Sequence, residues 1–227
     1  MEIISRLTAV ILTIFLSPLL LGLSLANLIV QGRPIIYRQT RVGKDFKDFI
    51  IYKFRSIKNN SNRPNTFSSG RNIQANKWGK FLRKTKLDEL PQLFNVIKGD
   101  MRFIGPRPEV PEYVDENSFS FLRKIKPGLS GYSSILFRNE SEIWSIIDAK
   151  DPYKHILKIK VGLDKYYVQK KSFFEDLKLV GITMLSLFIP KQMGHYLLLR
   201  LLNIEDKNEF RLREIISDIK LKNITEK

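Results

Sequence analysis

The chain has 227 residues, no cysteine, and 39 Lys+Arg against 23 Asp+Glu, for a formal net charge of +16. Disulfides and thiolate metal sites are excluded, and the isolated His155 and His195 make no zinc cluster. The cationic surplus calls for an anionic partner: nucleic acid, anionic lipid or a phosphorylated substrate.

Residues 7–30, LTAVILTIFLSPLLLGLSLANLIV, form an uncharged apolar run of about 24 residues, long enough to span a bilayer as a helix. No small-x-small pattern precedes Gln31, so an anchor is expected rather than a cleaved signal. Ser17-Pro18 near the middle predicts a kink, with the serine satisfying a freed backbone group. Basic residues flank both ends: Arg6 before, and Arg33, Arg38, Arg41 and Lys44 after. The residues alone leave two readings open, a hairpin leaving by the leaflet it entered and a single pass.

Residues 34–57 are rich in β-branched and aromatic side chains around Gly43-Lys44-Asp45, which predicts two short strands and a turn. Residues 59–70, NNSNRPNTFSSG, read as a loop. Lys77, Lys80, Arg83 and Lys84 then make a basic surface.

The most informative stretch is KTKLDELPQLFNVIKGDMRFIGPRP, residues 84–108. Pro91 suits only a first helical turn, Leu90, Leu93, Phe94 and Ile97 recur with helical spacing, and Gly99 stops the run. A helix starting near Asp88 is therefore predicted, placing Asp88 and Glu89 at its N-terminus among Arg83, Lys84, Lys86, Arg102 and Arg107. A lone acid there would usually be a cap. An adjacent pair amid cations also suits phosphate chemistry, as nucleophile and Mg²⁺ ligand. Gly105-Pro106-Arg107-Pro108 is rigid and offers Arg107 as a phosphate fork, or simply a structural turn. Asp100 reads as a cap or a metal ligand. Lys126-Pro127-Gly128-Leu129-Ser130-Gly131 predicts a tight backbone path. Leu177–Pro190 is apolar but too short to span, and Leu212, Ile215, Ile216 and Ile219 make an amphipathic tail stripe.

LDELPQL, NVIKGDM and GPRPE, together with PIIYRQTRVG, YKFRS and KPGLSG, resemble the bacterial sugar transferases, the monotopic polyprenyl-phosphate phosphoglycosyl transferases. The resemblance runs over roughly residues 3–190. It implies an α+β, mostly helical monotopic protein with a small β-hairpin and interfacial amphipathic helices. Its parts would be a re-entrant membrane helix over 1–32 broken at Ser17 and Pro18, a catalytic domain over 33–190 and an amphipathic tail over 191–227. Asp88 is implied as nucleophile and Glu89 as its partner, the two holding Mg²⁺, with Arg107, Arg83, Lys53, Arg55 and Arg138 as substrate-phosphate contacts. Arg41 and Glu109 are further candidates. The implied reaction moves a sugar-1-phosphate from a UDP-sugar to polyprenyl (undecaprenyl) phosphate, on the cytoplasmic face of the bacterial inner membrane. Membrane lipid is an expected partner, nucleic acid is not, and homo-oligomerisation is left open. The chain departs from the family pattern at Gln74, Arg102, Ser134 and Phe137. The alternatives are a membrane-anchored basic nucleic-acid-binding module and a non-catalytic scaffold. The first lacks any helix-turn-helix, zinc-finger or RNA-recognition signature.

Overall fold

A computed structural model describes residues 2–57, 75–137 and 152–188. The expected loop at 59–70, the tail stripe, Gln74, Arg138 and the side chain of His155 lie outside the described residues. The described residues fall into two compact units, one over 2–57 and 75–129 and one over 130–137 and 152–188. Helices dominate, accompanied by two two-stranded sheets.

In the first unit, α1 (Glu2–Phe15) and α2 (Ser17–Gln31) are bent by 63° at the predicted break. Pro18 has no N–H, and Ser17 Oγ compensates locally by donating to Ile14 O at 2.7 Å. Neither helix alone is long and apolar enough to cross a membrane, whereas the bent pair is by length and composition. Ala9 of α1 packs with Ile51, Val96 and Met101, while Ile3, Ile4, Leu7, Ile11, Ile14 and Phe15 stay exposed. Leu23, Asn27 and Gln31 form the buried stripe of α2, four residues apart. Asn27, fully buried, donates Nδ2 to Ile35 O and accepts from Trp78 Nε1, both at 3.0 Å.

The predicted hairpin is present as β1 (Ile36–Val42) antiparallel to β2 (Asp48–Phe54), in the register Ile36 to Phe54 and Val42 to Asp48. Gly43 N–H closes the turn on Lys47 O at 2.9 Å. α3 (Lys77–Thr85) is capped by Asn76, whose Oδ1 accepts from Gly79 N at 2.8 Å.

The predicted helix from Asp88 is corrected in kind. Residues Leu87–Gln92 form a 3₁₀ helix, and only then does α4 (Leu93–Lys98) run to the left-handed Gly99 at φ 87°. Lys86 at φ 61° starts the tighter turn, and Pro91 within it has no N–H to complete an α-helical ladder. The change from about 3.0 to 3.6 residues per turn rotates the apolar face, so Val96 is buried and the predicted core residue Phe94 is 47% exposed.

β3 (Arg102–Ile104) pairs with β4 (Gly128–Ser130). Arg102 N–H donates to Pro127 O, and Gly128 N–H to Pro106 O, both at 2.8 Å. The tight path predicted for the glycines is real: a Cβ on Gly128 would stand 2.1 Å from Gly105 N.

In the second unit α5 (Tyr132–Leu136), α6 (Pro152–Lys170) and α7 (Phe173–Phe188) are tied by polar contacts. Ser133 Oγ donates to Asp164 Oδ1 at 2.7 Å, Ser130 and Thr183 hydroxyls pair at 2.8 Å, and Tyr132 OH donates to Glu175. α7 buries Leu179 and Ile182 and exposes Phe173, Phe174, Leu177, Met184 and Leu185.

Candidate active site

Glu89 is the electrostatic centre of the conspicuous stretch. Its Oε1 accepts from Lys53 Nζ at 2.9 Å and from Arg107 Nη2 at 3.0 Å. Three separate pieces of backbone meet there: β2, the 3₁₀ turn, and the Gly-Pro-Arg-Pro segment.

Each piece is held by its own device. Asn95, fully buried in α4, accepts from Tyr52 N at 3.2 Å and donates to Ile50 O at 2.7 Å, which docks β2 onto α4. Lys53 follows Tyr52 and is thereby fixed against the turn. Arg107 follows Gly105-Pro106, locked by the close approach to Gly128. Arg41 adds a clamp, donating to Pro108 O at 3.1 Å, Glu109 Oε2 at 3.3 Å and Gln39 Oε1 at 2.7 Å. Val42 N–H also reaches Glu109 O at 2.9 Å. Arg41 and Glu109 thus tie the Arg107 segment to β1.

Asp88 lies beside this centre in a different environment. It is only 7% exposed, and its Oδ1 is buried with no hydrogen-bond partner among the described residues. Burial, and then the Glu89 charge, push its carboxyl above the ordinary range, against the pull of Lys53, Lys86 and Arg83. For Glu89 burial acts in the same direction, but Lys53, Arg107 and Lys86 outweigh it and hold the carboxyl well below the usual range. Burial, opposed by Glu89, brings Lys53 down to about 8. Two neighbouring acids are thus driven apart, which is how one site separates carboxylate roles.

The remaining sequence candidates divide. Arg83 Nε donates to Ser56 Oγ at 2.9 Å and stays close enough to act on the Asp88 charge. Arg55 is buried, and its Nη2 donates to Gln31 O and, at 2.8 Å, to Gly32 O, where it satisfies the C-terminal carbonyls of α2. Asp100 accepts from Asn95 Nδ2 at 3.3 Å, an intramolecular contact. Ser17 and Pro18 stand at the helix bend. Asn95 was not singled out by the sequence; a polar residue inside an apolar helical face was the available signal.

Among the described residues no group of three or more His, Asp or Glu could hold a metal. Two adjacent carboxylates, one with an unpartnered oxygen, do suit Mg²⁺ that arrives with substrate phosphates, since Mg²⁺ keeps waters and takes few protein ligands.

A profile of the family described as bacterial sugar transferase matches residues 1–190. The chain belongs to the bacterial sugar transferase family. This family member is 36% identical over 180 residues to the UDP-N-acetylgalactosamine-undecaprenyl-phosphate N-acetylgalactosaminephosphotransferase of Aeromonas hydrophila, covering 77% of the chain and 40% of that protein. It is 33% identical over 188 residues to the UDP-glucose:undecaprenyl-phosphate glucose-1-phosphate transferase of Klebsiella pneumoniae, covering 80% and 38%. The Bacillus subtilis protein named "Uncharacterized sugar transferase EpsL" matches at 32% over 162 residues, 70% of this chain and 73% of that one. The chain therefore spans about 40% of the length of the first two relatives.

Proposed function

We propose that this family member is a phosphoglycosyl transferase that moves a sugar-1-phosphate from a UDP-sugar to undecaprenyl phosphate. The names of the Aeromonas and Klebsiella relatives supply the donor and acceptor classes. The observation that carries the reading is the unlike pair: Asp88 buried with an unpartnered oxygen, beside Glu89 bound to two cations.

In this reading an Asp88 carboxylate oxygen attacks the β-phosphorus of the donor. The bond between that phosphorus and the bridging oxygen breaks, and UMP leaves with the electron pair. An acyl phosphate now joins Asp88 to the sugar phosphate. An oxygen of the lipid phosphate then attacks the same phosphorus, the Asp88–phosphorus bond breaks, and the carboxylate is restored. The raised affinity of Asp88 for protons makes its ionised form a stronger nucleophile, while Arg83, Lys86 and Lys53 still favour ionisation. Glu89 stays ionised and fixes Lys53 and Arg107 where phosphate charge must be neutralised. Asp88 and Glu89 would hold Mg²⁺, which when bound neutralises phosphate charge.

The bent α1–α2 pair would be a re-entrant membrane helix, entering and leaving from the cytoplasmic face. This sets the site at the depth where the lipid phosphate resides.

The test is UMP release by the full chain in nanodiscs with Mg²⁺, undecaprenyl phosphate and a panel of UDP-sugars. Release with a UDP-sugar, reduced to background in Asp88→Asn, is expected. Equal release from parent and Asp88→Asn removes Asp88 as nucleophile, and silence of folded parent across the panel removes the UDP-sugar reading.

A further inference from the structure

The 3₁₀ turn that begins at Leu87 ends on Gln92, and Gln92 is anomalous. It is 3% exposed, and its Nε2 is buried with no hydrogen-bond partner among the described residues. A buried amide donor without an acceptor is costly, and native structures satisfy such groups or use them. Of the other buried orphan atoms, those of Gln31 and Arg55 belong to side chains bonded through another atom, Gln31 Nε2 to Asn76 Oδ1 at 3.2 Å and Arg55 Nη2 to Gly32 O, and those of Ser5 and Ser134 are single hydroxyls outside this turn. Gln92 shares its short turn with Asp88, whose Oδ1 is the complementary orphan.

The two orphans have opposite needs. Gln92 Nε2 offers N–H and lacks an acceptor; Asp88 Oδ1 offers an electron pair and lacks a hydrogen-bond donor. A single phosphoryl group serves both, with oxygens for the amide and phosphorus for the carboxylate. In a turn with three residues per revolution Gln92 lies one turn beyond Glu89, on the side where Lys53 and Arg107 gather. A neutral donor is apt there. Further positive charge would pull the Asp88 carboxyl down, as Lys53, Lys86 and Arg83 already do, whereas an amide gives a directional bond without that effect.

We propose that Gln92 contacts substrate, donating Nε2–H to a phosphoryl oxygen of a nucleoside diphosphate as Asp88 meets its phosphorus. The assignment rests on the reading of Asp88 as nucleophile. Removing such a donor is expected to cost transition-state stabilisation more than fold stability.

The experiment compares full-length parent, Gln92→Met and Gln92→Glu in nanodiscs with Mg²⁺, using UDP as binding probe by calorimetry, UMP release as turnover, and unliganded melting temperature. The expected result is a Gln92→Met protein that melts no lower than parent, binds UDP tenfold or more weakly and loses kcat by a hundredfold or so. Gln92→Glu keeps the shape, replaces the donor with a negative acceptor, and is expected to bind UDP more weakly still. Parent-like UDP affinity and turnover in Gln92→Met would overturn the assignment. So would a lowered melting temperature in both variants with parent-like turnover per folded molecule, since that is a purely structural residue. Should the parent release no UMP while Gln92→Met still loses UDP affinity, the transfer reaction fails and the phosphate contact stands.

Discussion

Asp88 and Glu89 are adjacent in the chain, yet the fold treats their charges in opposite ways, and their substitutions should differ accordingly. The raised Asp88 carboxyl means that its ionised form opposes folding once pH exceeds the unfolded value of 3.8, and that this penalty is relieved as pH falls through the folded value. Asp88→Asn is therefore expected to melt at or above the parent temperature at pH 7, while losing turnover if Asp88 is the proposed nucleophile. Glu89 is depressed, so its contribution is present above the unfolded value of 4.5 and lost as pH falls through the folded one. Glu89→Gln leaves Lys53 and Arg107 facing a neutral amide and should cost about 3 kcal/mol in denaturant unfolding at pH 7. Lys53, down to about 8, predicts a further signature: turnover declining as pH rises through that value, because the ammonium bound to Glu89 is lost. In Lys53→Arg that decline should move to higher pH in a pH–rate profile, and an unmoved limb would assign it to another group.

The residue scale also shows where the sequence stops informing. Lys53 and Arg55 are two apart, and as strand residues they would share a face; both were candidates for the same phosphate. β2 ends at Phe54, however, so Arg55 escapes the alternation and turns to the carbonyls of α2. Glu89 with Lys53 and Arg107 was legible as chemistry but not as geometry, because the three come from segments up to dozens of residues apart. Asn95 joins β2 to α4, and nothing local announces such a pairing.

At the scale of elements, the features fixed by backbone chemistry were the legible ones. Ser17-Pro18 predicted the bend, Gly43-Lys44-Asp45 the hairpin turn, and Gly99 the end of α4. The 3₁₀ turn at Asp88 was not legible, because its phase depends on Lys86 adopting φ 61° ahead of it. Glycines give the sharpest element-level test. A Cβ at Gly128 would lie 2.1 Å from Gly105 N, against backbone that has no rotamer with which to yield, whereas nothing lies within 4 Å of one at Gly162 in α6. Gly128→Ala is expected to destabilise by about 3 kcal/mol and to displace Arg107, lowering turnover. Gly162→Ala should instead stabilise by about 0.5–1 kcal/mol, through reduced backbone entropy of the unfolded chain. Denaturant midpoints of the two variants against parent decide it; equal shifts would mean that the Gly105–Gly128 approach relaxes at little cost.

For the whole molecule the proposed re-entrant placement of the bent helical pair has a consequence for topology. The apolar residues that α1 and α2 leave exposed, among them Ile11, Ile14, Phe15, Leu21, Leu25 and Ile29, have no protein cover among the described residues. Meanwhile Arg6 of α1 donates Nε to Ile97 O at 2.8 Å, and Gln31 of α2 donates to Asn76 at 3.2 Å. Both outer ends of the pair are thus fastened to the unit that carries Asp88, while the Ser17-Pro18 corner is not. A straight crossing would put the two ends on opposite faces of the bilayer, where both could not stay fastened to one unit. A hairpin keeps both. The chain has no cysteine, so single cysteines can be introduced at Glu2, Ser17 and Arg33 without background. In intact spheroplasts a membrane-impermeant maleimide is expected to leave positions 2 and 33 unlabelled, and to label both once the membrane is opened. Labelling of position 2 from outside would establish a single pass and overturn the hairpin. Ser17→Ala combined with Pro18→Leu restores an uninterrupted apolar helix, and should move position 2 to the outer face with loss of UMP release.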